Sequence, residues 1–115
     1  MLIAYGTYAM PNTPLEEAAP MLKDIGFDGV EICVGPNHVL SMPEEQDATR
    51  RHQLRELLVD LRLGFPALMV MGHLLPRSDE DHQRGLEHMR RCVQLARDLG
   101  MAEPPIVSMG IGGKS

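Results

Sequence analysis

The sequence predicts an α/β fold, a partial (β/α)8 TIM barrel of about three and a half βα units with parallel strands, and two observations predict it. The first is a repeat: Ile25-Gly26-Phe27, Leu63-Gly64-Phe65 and Leu99-Gly100-Met101 each stand between a helical pattern and an apolar run, 38 and 36 residues apart. The apolar runs end on Gly35, Gly72 and Gly110, 37 and 38 residues apart, so helix exit and strand exit recur in step. The second is that those runs lack strict alternation, as strands covered on both faces do. Alternating strands and helices leave an open doubly wound sheet or a closed barrel, and the near-constant repeat favours the barrel.

The elements follow in order. The strands are expected near 2–5, 29–34, 67–71 and 106–109, and the helices near 14–25, 47–62 and 79–99, all within one domain spanning residues 1–115. In the first helix, Thr13-Pro14-Leu15-Glu16 combines a capping threonine, proline at the first helical position and a glutamate at the capping-box position. Its apolar face is Leu15, Ala18, Leu22 and Ile25, Gly26 supplies the left-handed stop, and Pro20 predicts a kink on the solvent side. The second helix begins between Pro43 and Ala48, carries Leu54, Leu57, Leu58 and Leu61 on one stripe, and is stopped by Gly64. The third opens at Ser78 with Asp79, Glu80 and Asp81 in its first turn, where the helix dipole favours negative charge. It runs through Leu86, Met89, Val93 and Ala96 to Gly100.

Composition narrows the function classes. With 43% hydrophobic and 23% charged residues the chain has the make-up of an ordinary globular domain. A net charge of −5 offers no basic surface for phosphates, so no nucleic-acid partner is expected. No segment has the apolar length of a membrane span, and no membrane partner is expected. Two distant cysteines, Cys33 and Cys92, read as reduced buried thiols, which suits a cytoplasmic location.

Working residues of parallel α/β barrels sit at the carboxyl ends of strands, which singles out Tyr5, Thr7, Glu31, Cys33, His73 and Ser108. Glu31 is the sharpest candidate, because a carboxylate in the apolar strand Gly29–Val34 is costly to bury without a cation, a metal or hydrogen-bond donors. Its alternatives are a pocket role and a structural ion pair with Arg or Lys. His73 follows Gly72, where an imidazole could ligate metal, bind a sugar hydroxyl, or be held by loop backbone. His38, His52, His82 and His88 show no spacing that aims two rings at one ion, and read as surface residues. The tail from Ser108 to Lys114-Ser115 approaches a phosphate-binding loop but has serine in place of the first glycine and no helix after it, so nucleotide binding is set aside.

The stretch Ile25-Gly26-Phe27-Asp28-Gly29-Val30-Glu31-Ile32, after a Leu/Ala-rich first helix, resembles the opening of the xylose isomerase-like TIM barrels, the sugar phosphate isomerase/epimerase group. The likeness spans nearly the whole chain. It implies a metal-dependent isomerase or epimerase of carbohydrate metabolism, with a small-molecule carbohydrate or hydroxy-carbonyl substrate and a divalent cation (Mn, Mg, Zn or Co) held in the complete barrel. The ligands of that cation come from later strands, so this chain alone is expected to hold none and to be inactive. Glu31, His73 and Tyr5 are then expected to contact the substrate or to support residues that do. A related branch contains DNA-repair endonucleases, which the acidic balance disfavours. The alternative, from a different class, is a stand-alone half-barrel acting through self-association at its open sheet edges or through a partner chain.

Overall fold

The structure, a computed structural model, describes residues 2–72 and 76–109. Four strands, β1 (Ala4–Gly6), β2 (Gly29–Val34), β3 (Leu68–Val70) and β4 (Val107–Met109), alternate with helices α1 (Leu15–Ile25), α2 (Ala48–Asp60) and α3 (Asp79–Asp98). Single 3-10 turns at Thr7–Ala9 and Pro43–Glu45 precede α1 and α2. All neighbouring strands are parallel and lie in the order β1-β2-β3-β4. A doubly wound sheet reverses its strand order at a switch point, whereas a barrel adds each strand beside the last. The described part is therefore barrel-like α/β architecture.

All three helices cover one face. Val30, Ile32 and Val34 of β2 with Leu68 and Val70 of β3 form a buried cluster with Leu15, Ala19 and Leu22 of α1, Leu54 and Leu58 of α2, and Cys92, Leu95 and Ala96 of α3. Leu57 and Leu61 flank the buried stripe of α2, while Leu86 of α3 is exposed.

The helix ends show how the repeat is built. In each, an N–H just past the helix folds back to a carbonyl five residues earlier: Phe27 to Leu22 (3.0 Å), Leu63 to Leu58 (3.0 Å) and Met101 to Ala96 (3.0 Å). This is the Schellman arrangement, with a left-handed residue at Gly26 (φ 116°), Arg62 (φ 53°) and Gly100 (φ 94°). Gly64 is thus not the stop of α2; Arg62 takes that conformation two residues earlier. Gly64 instead donates to the Asp28 carbonyl (2.9 Å) and accepts from Val30 N–H (2.8 Å).

At the start of α1 the capping box does not form. Pro14 is the cap residue, no side chain caps the turn, and Glu16 reaches across to pair with Arg50 of α2. The helix runs on through Pro20 to Ile25. Asp47 and Ser78 cap α2 and α3, accepting from Arg50 N–H (2.8 Å) and Asp81 N–H (3.1 Å). Ile3 precedes β1, its N–H donating to Asp28 Oδ2 (2.9 Å) and its carbonyl accepting from Asp28 N–H (2.8 Å).

Candidate functional site

Because successive side chains of a strand alternate between faces, placing Val30, Ile32 and Val34 against the helices turns Glu31 and Cys33 to the opposite, concave side. The register sets Cys33 beside Met69, and Met69 beside Ser108, across β2, β3 and β4. Glu31, half-buried, stands beside Gly6 of β1, where no side chain crowds it. Among the described residues no ion pair or hydrogen bond engages the Glu31 carboxylate. The face therefore offers an unclaimed acceptor pair, a half-buried Met69 and an exposed Ser108 hydroxyl.

The other strand-end candidates separate by face and by neighbour. Tyr5 is in register with Val30 and so lies on the helix-covered face, its ring 5.1 Å from that of Phe27. Structure therefore does not bring Tyr5 and Glu31 together. Thr7 is buried, and its Oγ1 accepts from Cys33 N–H (2.8 Å), fastening the end of β1 to β2. Cys33 is buried, and burial pushes its thiol above the ordinary value. A neutral, enclosed thiol is a poor nucleophile. His73, like the tail beyond Met109, lies outside the described residues.

One part of this edge was not foreseen. The connection from β2 to α2 folds into a polar knot: Ser41 Oγ donates to the Gly35 carbonyl (2.8 Å) and accepts from Gly35 N–H (3.0 Å). Gln46 Nε2 donates to the Ser41 carbonyl (3.0 Å). His38 belongs to this knot, half-buried, with Nε2 bonded to the Tyr8 carbonyl (3.0 Å). Only the run of turn-forming residues Gly35-Pro36-Asn37 hinted at it, and that signal carries no side-chain partners.

An unpaired carboxylate on the helix-free face of consecutive parallel strands, in a barrel-like order, is the arrangement to set beside known proteins. The sequence pattern of the xylose isomerase-like TIM barrel family matches residues 20–109, and the chain belongs to that family. It is 27% identical over 89 residues to an L-ribulose-5-phosphate 3-epimerase of Shigella flexneri serotype 5b (strain 8401), a match covering 74% of this chain and 31% of that protein. An Escherichia coli (strain K12) protein, named only provisionally for the same activity, matches to the same extent, 27% over 89 residues, 74% of this chain and 31% of its own. The matched stretch thus spans about a third of either relative.

Among the described residues no three His, Cys, Asp or Glu side chains come together as a donor set for a metal ion. The described part does not fit a divalent cation, and no chemical step is assigned to one. No described helix is long and apolar enough to cross a membrane.

Proposed function

We propose that this chain supplies the first strands of a sugar phosphate isomerase/epimerase barrel, with Glu31 facing the substrate. The observation that carries the reading is the Glu31 carboxylate, half-buried on the concave face and unpaired among the described residues, in a chain of this family. The relatives' names supply the substrate class, a ketopentose phosphate. Epimerising such a sugar beside its ketone requires a proton to leave carbon and return on the opposite face. Glu31 serves to accept hydrogen bonds from the sugar hydroxyls and so to hold the chain of carbons still. The proton-transferring groups and the divalent cation belong, in this reading, to the remainder of the barrel, and the stretch is inactive without it.

The test is exchange of the carbon-bound hydrogen of L-ribulose 5-phosphate in heavy water, followed by NMR, with the gene's complete product and then with residues 1–115 alone. Exchange by the complete product, absent from the short chain and abolished by chelator, is the expected result. Glu31→Gln in the active form raises KM about tenfold, the size of one hydrogen bond to a charged group. Absence of exchange with every ketopentose phosphate, or an unchanged KM in Glu31→Gln, overturns the reading.

A second reading rests on a different surface. Leu2 and Ile3, 87% and 52% exposed, adjoin Phe65 and Pro66 at the amino end of the sheet. Self-association through this apolar edge predicts a sedimentation coefficient that rises with concentration and falls back in Leu2→Lys. A concentration-independent monomer excludes it.

A further inference from the structure

Three buried polar atoms among the described residues have no hydrogen-bond partner: His38 Nδ1, Gln46 Oε1 and Arg50 Nε. They are far apart in kind but not in place. All three residues line a single cavity of about 30 Å³ beneath the β2 to α2 connection, with Ile32, Cys33 and Leu99 also in its lining. Leaving such atoms bare costs about 1–3 kcal/mol each, so a folded chain does not leave three together unanswered.

The chemistry of the occupant follows from the bonds the same side chains already make. His38 Nε2 faces the Tyr8 carbonyl, which can only accept, so Nε2 carries the proton and Nδ1 of the neutral ring is an acceptor. Gln46 Nε2 faces the Ser41 carbonyl, which fixes the amide so that Oε1 is the free acceptor. Gln46 is only 5% exposed, so bulk solvent does not serve it. Arg50 Nε is a donor, its guanidinium being also engaged by Glu16. Together the three atoms call for two hydrogens given and one accepted.

We propose that this cavity is a binding site for one buried water molecule, which donates to His38 Nδ1 and Gln46 Oε1 and accepts from Arg50 Nε–H. The volume has room for one water, two at most, and three polar partners is the usual complement of an internal one. Other small occupants fail on the same count. A metal cation meets the Arg50 guanidinium, an anion meets two acceptors, and a sugar hydroxyl brings one hydrogen where two are needed. The water adds a link between His38, Gln46 and Arg50 to the direct bonds that already tie the loop to the Tyr8 turn and to α2.

The experiment is water-to-protein cross-relaxation by NMR on the 15N-labelled chain, read at Arg50 Nε–H, with the His38 ring nitrogens in the same sample. A long-lived water contact at Arg50 Nε–H and an Nε2-protonated His38 are expected, and Gln46→Met, which replaces the acceptor with an apolar chain, loses the contact. Absence of a long-lived water at Arg50, or a His38 protonated at Nδ1, overturns the proposal. If Gln46→Met does not fold, the wild-type spectra decide alone.

Discussion

At Gly29 a side chain is missing because the Gly64 carbonyl occupies its place: a Cβ there would lie 3.1 Å from that oxygen and 3.4 Å from the Ala4 Cβ. The obstacle is backbone held by its bond to Val30, so it cannot step aside. Gly29→Ala is therefore expected to cost about 1–3 kcal/mol, measured as a lower urea midpoint with an unchanged slope. Arg51 shows the opposite case, a side chain with three partners. It donates to the carbonyls of Gln46 (2.8 Å) and Pro43 (2.9 Å) and to Asp98 Oδ2 (2.8 Å). Arg51→Ala should cost about 2 kcal/mol, chiefly through the two backbone carbonyls it abandons. Burial opposes the Asp98 carboxylate, yet hydrogen bonds from Arg51 and Gln94 with the charges of Arg51 and Arg55 outweigh it and hold the carboxyl below its usual 3.8. A carboxyl lowered by folding stabilises the native state above its unfolded pKa and loses that contribution as pH falls through the folded value. Urea midpoints compared at about pH 7 and about pH 3 should drop less in Arg51→Ala than in the wild type. The two thiols complete this scale. Burial, then the charge of Glu44, pushes Cys92 up to about 11, and burial raises Cys33. Neither should react with a thiol reagent at neutral pH until urea unfolds the chain.

Among the elements, the ends of helices carry the most instructive difference between sequence and structure. The Leu-Gly pairs suggest that Gly64 does for α2 what Gly26 does for α1. Yet the left-handed residue is Arg62, and Gly64 serves the neighbouring strand. A glycine announces that a side chain is unwanted without saying why: positive φ at Gly26, close approach at Gly29, sheet pairing at Gly64. Arginine at φ 53° bears a strain that glycine does not, so Arg62→Gly is expected to raise stability by about 0.5–1 kcal/mol despite its entropic cost, a small upward shift in Tm. The capping box at Thr13 was legible and wrong for a similar reason. Local pattern proposes a bond from Glu16 to its own helix, and Arg50, 34 residues away, takes the carboxylate instead. The alternation that turns Glu31 away from the helices, by contrast, is a local property of β2 and could be read directly. The face of Tyr5 could not, because a three-residue strand has too little alternation to orient it.

At the scale of the molecule, the family-bearing stretch from Gly26 to Glu31 turns out to be mostly joinery. Gly26 ends α1, Phe27 packs on the core, Asp28 ties down Ile3, Gly29 admits Gly64, and only Glu31 faces away from the helices with its carboxylate unpaired among the described residues. Resemblance in this stretch therefore reports chiefly the fold. Strand order has a further consequence. Each described strand after β1 pairs with the one made just before it, so each new unit docks on a neighbour already made. On a ribosome adding about 5–20 residues per second, a unit of this length is finished within several seconds. The order of pairing thus follows the direction of synthesis, one course upon the last.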